Sequence, residues 1–126
     1  MPVVYHRDRP VINSASGHPS LSMVVNRDAG SSQLSVWVSS HAPDELVPLH
    51  THGVEEVLTF IGGEGVVTVG DETFPIHADM SVIVPPGVPH GYQNTGRTPL
   101  RIVITMADAD AKLGKRWEPA AEAVPA

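Results

Sequence analysis

The chain has 126 residues, 41% of them hydrophobic, no cysteine and a formal net charge of −6. That length buries one core and is too short for two ordinary domains, and the acidic balance lacks the clustered Lys and Arg on which phosphate-backbone binding depends. Without cysteine there are no disulfides, thiolate nucleophiles or Cys-ligated zinc, so any metal must be held by His, carboxylate and water.

No apolar run reaches the roughly 18 to 20 residues that cross a bilayer. The start, Met1 to Asp8, lacks the basic-then-apolar order of a signal peptide. A cytoplasmic protein with neither nucleic acid nor membrane as partner is the expectation. Twelve prolines and eleven glycines, spread between short apolar runs, imply many turns and an all-β fold.

Residues 1–20 mix Pro, Ser, Asn and Gly, with only Val11-Ile12 apolar, and read as an arm over the body of the domain, assigned little structure. Strands are expected at Leu21 to Val25 and Leu34 to Val38, joined through the turn Asp28 to Ser32. Ser39 to Glu45 reads as a loop leading through Pro48 into Pro48-Leu49-His50-Thr51-His52-Gly53-Val54-Glu55-Glu56-Val57-Leu58. A β-rich run over Glu56 to Ile61 closes at Gly62-Gly63, and Val66 to Val69 turns at Gly70-Asp71 into Glu72 to Ile76, a tight hairpin. Ser81 to Val84 is broken sharply by Pro85-Pro86-Gly87. The chain re-enters a strand at His90 to Gln93, turns at Asn94-Thr95-Gly96 and runs out along Leu100 to Met106. Only Ala107 to Leu113 reads as helix-like, with Gly114 as its stop. Residues 109–126 are that segment and a loose tail, which Trp117 is placed to anchor; the barrel proper spans 21–108. Short strands recurring between turn signals mark a sandwich or barrel.

Alternate residues of a strand point to opposite faces, so His50 and His52 share a face while Thr51 points away. Their Cα atoms lie roughly 6 to 7 Å apart on an extended strand, close enough for both rings to reach one ion. Glu56 keeps the same parity if the strand continues past Gly53, and Glu55 does not. His90 supplies a fourth ligand from another strand, on an approach stiffened by Pro85, Pro86 and Pro89. Tyr92 shares parity with His90 and is the candidate catalytic residue, a proton donor or acceptor, with barrel packing as the plainer account. His6, His18, His41 and His77 have no paired spacing and read as surface or loop residues. Trp37 lies opposite in parity to Val36 and Val38. Leu58, Phe60, Ile102, Ile104 and Met106 read as wall.

The stretches His50-x-His52-x3-Glu56-x6-Gly63 and Pro85-x-Gly87-x2-His90-x3-Asn94 resemble the two motifs of the cupin family in its small single-domain form, over roughly residues 34–106. One departure stands out: the second motif normally opens with Gly, where this chain has Asp79-Met80. The resemblance implies an antiparallel double-stranded β-helix (a jelly-roll barrel), usually dimeric, holding one divalent transition metal ion (Fe, Mn, Ni, Zn or Co) on His50, His52, Glu56 and His90. Four protein ligands on a six-coordinate ion leave two places for water, substrate or dioxygen. The expected activity is metal-dependent chemistry on a small-molecule substrate by a homodimer. A dioxygenase leads; a non-redox lyase, isomerase or cyclase, and a non-catalytic binding or sensing module, are the alternatives.

Overall fold

A computed structural model of the protein describes residues 2–12, 20–112 and 115–116. The strands are β1 (Val11–Ile12), β2 (Ser20–Val25), β3 (Ser35–His41), β4 (Leu46–Thr51), β5 (Glu56–Gly62), β6 (Glu64–Val69), β7 (Glu72–His77), β8 (Met80–Val84), β9 (His90–Asn94), β10 (Leu100–Met106) and β11 (Lys115–Arg116). They form a six-stranded sheet in the order β1-β2-β3-β10-β5-β8 and a five-stranded sheet in the order β11-β4-β9-β6-β7. Neighbours in both sheets are antiparallel. The connections after β3, β4, β5, β7, β8 and β9 each cross from one sheet to the other. That crossing is the antiparallel jelly-roll barrel expected from the sequence.

Strict alternation builds the interior. Along β3 and β10 every second residue is buried, and the same holds through β5 from Glu56 to Phe60. Leu58 and Phe60 meet Val67, Ile76, Leu100, Ile102, Ile104 and Met106 in the core between the sheets. Each such side chain, fully withdrawn from water, contributes about 2 kcal/mol.

Two turns show why the chain has the residues it has. Gly63, between β5 and β6, sits at φ 82°, and a Cβ there would lie 2.5 Å from the Pro99 carbonyl oxygen and 2.9 Å from the Leu100 Cα. Only glycine fits both the conformation and the space. Asp79, where the second motif normally has Gly, lies in the Ala78-Asp79 turn between β7 and β8 at φ 72°. Aspartate is among the few non-glycine residues that enter the left-handed region readily, so the departure leaves the turn in place.

The structure corrects three sequence expectations. Ser39 to His41 is not loop but the end of β3, paired with Leu100 to Ile102 on β10, because Ser39 and His41 continue the buried alternation begun at Ser35. Residues 107–112 are not helical: Asp108 Oδ1 accepts from the Asp110 N–H at 2.8 Å, a local turn that competes with the helix. The Ala109 carbonyl instead accepts from the Arg27 N–H. The N-terminal arm carries a 3-10 turn over His6–Asp8 and then β1, which pairs with β2. Trp117, His18 and Gly114 lie outside the described residues.

Candidate metal centre

Four elements deliver the site. His50 comes from the end of β4, His52 from just beyond it, Glu56 from the first position of β5 and His90 from the first position of β9. Parity along one continuous strand selects Glu56 in the sequence, but the strand is not continuous. β4 stops at Thr51, residues 52–55 cross to the other sheet, and Glu56 reaches the centre from there. Glu56 is buried at 2% exposure while Glu55 faces solvent.

A bulge aims His50. Val47 stands opposite Tyr92 and His50 opposite His90, so three steps on β4 match two on β9. Simple alternation would turn His50 away from the face of Val47; the extra residue at Pro48-Leu49 turns it back. Proline suits that spot because a bulge leaves a donor position free. Opposite the bulge lies Gly91, where a Cβ would come within 2.5 Å of the Val47 carbonyl oxygen and 3.1 Å of the Pro48 carbonyl carbon. Its bare backbone lets β4 press against β9 and brings the His50 and His90 rings to 4.2 Å between centroids.

The second motif is locked to the first by backbone. The Gly87 N–H donates to the His52 carbonyl at 2.8 Å, with Gly87 at φ 77°. Asn94, buried completely, donates to the carbonyls of His41 and Thr98 and accepts from the Gly96 N–H, each at 2.9 Å. It holds the end of β9 to β3 across the barrel.

One donor atom from each of His50, His52, Glu56 and His90 lies within 4.8 Å of the others. His90 Nε2 stands 2.7 Å from Glu56 Oε1, and His52 Nε2 3.2 Å from Glu56 Oε2. His90 Nε2 and Glu56 Oε1 are both buried, yet neither has an aligned hydrogen-bond partner. Polar atoms buried this way are costly unless something else satisfies them. The outer nitrogens are already fixed: His50 Nδ1 donates to the Pro48 carbonyl at 2.9 Å and His90 Nδ1 to the Val88 carbonyl at 3.0 Å. Those bonds put the ring proton on Nδ1 and leave the Nε2 lone pair facing the cluster, the tautomer a metal ligand needs. Three imidazoles and a carboxylate, oriented so, fit a divalent transition metal ion.

Electrostatics agree. Burial works to raise Glu56, but the imidazoles of His52 and His90 close beside it overcome that and hold the carboxyl at about 2. Burial works against charge on His90, yet the adjacent Glu56 carboxylate lifts it above its ordinary value. His50 is lowered, chiefly by burial, and so is held as the neutral ligand form.

Tyr92 faces the interior two residues after His90, 6% exposed, with its ring edge-on to Phe60 and His41. Burial and then the Glu56 charge push its phenol well above the usual range, against a hydrogen bond with Ser39. His41, read from sequence as a surface or loop residue, is 2% exposed and packs on Tyr92 at 5.1 Å. Its signal was the alternation Ser35, Trp37, Ser39, His41, which continues one face of a strand. His6 and His77 are exposed.

A two-sheet jelly roll with three imidazoles and a carboxylate converging inside it defines a class: small β-barrels built around one metal-ion site. This chain belongs to the cupin family, and residues 37–106 match the Cupin domain. It is 25% identical to auxin-binding protein 1 of Arabidopsis thaliana over 109 residues, covering 77% of this chain and 55% of that protein, so it spans about half the length of that relative. Among solved structures, the polyketide cyclase RemF from Streptomyces resistomycificus superposes with a TM-score of 0.76 at 15% identity, over 94% of this chain and 86% of that one. An oxalate decarboxylase from Bacillus subtilis, studied for its Mn(II) centres, superposes with a TM-score of 0.75 at 19% identity, over 88% of this chain and 31% of that one. Likeness at these identities is likeness of fold. Among the described residues no helix is long and apolar enough to cross a membrane.

Proposed function

We propose that the protein is a divalent-metal-dependent enzyme acting on a small organic molecule, with His50, His52, Glu56 and His90 as the metal ligands. The observation that carries this is the convergence of four donor atoms within 4.8 Å, with the His50 and His90 rings already turned to present Nε2. A bound ion supplies Lewis-acid polarisation of a carbonyl or hydroxyl, or, if it is iron, the electrons that activate dioxygen. The chain does the rest: Glu56 brings negative charge that stays ionised, and Phe60 and Leu58 exclude water. Tyr92 offers a hydroxyl to a substrate oxygen. A dioxygenase is the first chemistry to test. Tyr92, buried on β9 two residues from His90, supports proton-transfer chemistry, as in a lyase, isomerase or cyclase, and the cyclase RemF shares this fold.

A second reading, a module that binds a small molecule without turning it over, draws support from the likeness to an auxin-binding protein. Reconstitution with Fe(II) under anaerobic conditions, then oxygen uptake with phenolic and diketone substrates, separates these. Substrate-dependent uptake supports the dioxygenase. Turnover without uptake in a Mn, Ni or Zn form supports the lyase class, and tight ligand binding with no turnover in any form supports the module. A homodimer in the cytoplasm completes the proposal; sedimentation at the mass of one 13.4 kDa chain would contradict the dimer.

A further inference from the structure

The two sheets turn different faces to solvent. On the outer face of the six-stranded sheet the strands line up in rows, one of which runs Val25, Val36, Thr105, Val57 and Ile83 across β2, β3, β10, β5 and β8. The next row runs Ser22, Val38, Val103, Thr59 and Ser81 over the same strands, with Val11 of β1 beyond Ser22. No member of either row carries a charge. The hydroxyls of Thr59 and Ser81 lie 3.1 Å apart and bond to each other, so these polar groups ask little of water. Ile83 is nonetheless 65% exposed and Val11 57%. On the outer face of the five-stranded sheet, by contrast, Glu64 stands beside His77, both exposed, and Gln93 beside Val66.

We propose that this face is where two copies of the chain meet, six-stranded sheet on six-stranded sheet; the proposal rests on the homodimer put forward above and gives that dimer its seam. Size, charge and shape each point to a second copy. The five longer strands, five to seven residues each, make a face of roughly 24 by 20 Å at about 4.8 Å between strands and 3.3 Å per residue. That is about 500 Å² in projection and more over the pleats and rims, which approaches the ~800 Å² per partner of a standard stable interface. Monomers seldom leave so large an apolar patch bare. The net charge of −6 lies away from the two rows, so a two-fold seam along them opposes no like charges. Among the described strand residues of this face the one charge is Arg101, at one rim beside Gly62, while exposed Glu55 stands at the other rim just before β5. A two-fold axis running across the strands therefore brings each Arg101 rim toward the partner's Glu55 rim. β-branched side chains on a twisted sheet interdigitate with a like sheet about 10 Å away. An anionic membrane is the poorer occupant, because the face offers it no cluster of Lys or Arg. The seam backs the wall of the metal centre, since Val57 adjoins Glu56 on β5.

The test is sedimentation of the natural full-length protein beside three variants, each checked for folding by circular dichroism. Val103→Glu puts a charge in the middle of the face, Ile83→Glu puts one at its edge, and Thr73→Glu puts one on the exposed outer face of the five-stranded sheet. A charge buried against its own copy is expected to weaken association roughly a hundredfold or more. The natural protein and Thr73→Glu then run as dimers, and Val103→Glu as the single 13.4 kDa chain. Ile83 is already open to solvent in one chain, so Ile83→Glu decides the matter should Val103→Glu not fold. A natural dimer that persists in folded Val103→Glu, or in folded Ile83→Glu in its place, overturns the seam and leaves the dimer standing on another surface. So does a dimer that Thr73→Glu breaks as readily as Val103→Glu. A natural protein that sediments as one chain removes dimer and seam together, and its pelleting with vesicles containing phosphatidylserine would give the face to a membrane instead.

Discussion

At the scale of single residues, the centre is a set of groups whose charges depend on one another. In metal-free protein the buried Glu56 is ionised because His52 and His90 neighbour it, and His90 is raised because Glu56 does. The sign follows. A raised His contributes stability that is complete below its unfolded value near 6.5 and is lost as pH rises through the folded value; a depressed Glu contributes stability that is lost as pH falls from about 4.5 toward about 2. Glu56→Gln removes the carboxylate that chiefly lifts His90, so burial, the largest influence and a lowering one, is left against only the smaller lift of the hydrogen bond to the Val88 carbonyl. An NMR titration of the metal-free forms is therefore expected to find His90 above 6.5 in the natural protein and below it in Glu56→Gln. His50 is expected below 6.5 in the natural protein. Because a ligand histidine must shed its proton to bind, metal affinity is expected to weaken as pH falls through the raised His90 range, which a pH series of metal titrations checks.

At the scale of elements, the site depends on backbone that places side chains. Gly91→Ala adds a Cβ against the Val47 and Pro48 backbone and pushes β4 off β9, spreading His50 from His90. The expected outcome is a cost of about 1–3 kcal/mol and weakened metal binding, read by denaturant melts and metal titration; an unchanged affinity would show that the bulge does not aim His50. Asp79→Val, with a branched side chain at φ 72°, is expected to cost about 1–3 kcal/mol while Asp79→Gly is tolerated, which thermal melts of the two variants compare. These elements also show what could be read without coordinates. Turn chemistry at Gly70-Asp71 and Pro85-Pro86-Gly87 and the apolar alternation of β5 and β10 are local signals, and they survive folding intact. The bulge at Pro48-Leu49 and the crossing at residues 52–55 are set by partners distant in sequence. Parity therefore reached Glu56 through a strand that does not exist. His41 was missed for a related reason: Pro43 and Asp44 made the whole segment look like loop, while pairing with Leu100 keeps it in the sheet.

At the scale of the molecule, two sheets close around one polar cluster, and the outer nitrogens of His50 and His90 are tied to the chain's own carbonyls. An ion that binds only the folded form stabilises it by linkage, by about 2.7 kcal/mol at a hundred times Kd, and for a domain of this size the melting temperature is expected to rise on the order of 10 °C. Chelation should reverse the shift. The most direct test of the centre is the metal content of purified protein beside that of His90→Ala. The four-ligand site predicts one divalent transition metal ion per chain in the natural protein, and a small residual fraction in a variant that still unfolds cooperatively. Full occupancy in folded His90→Ala would contradict it.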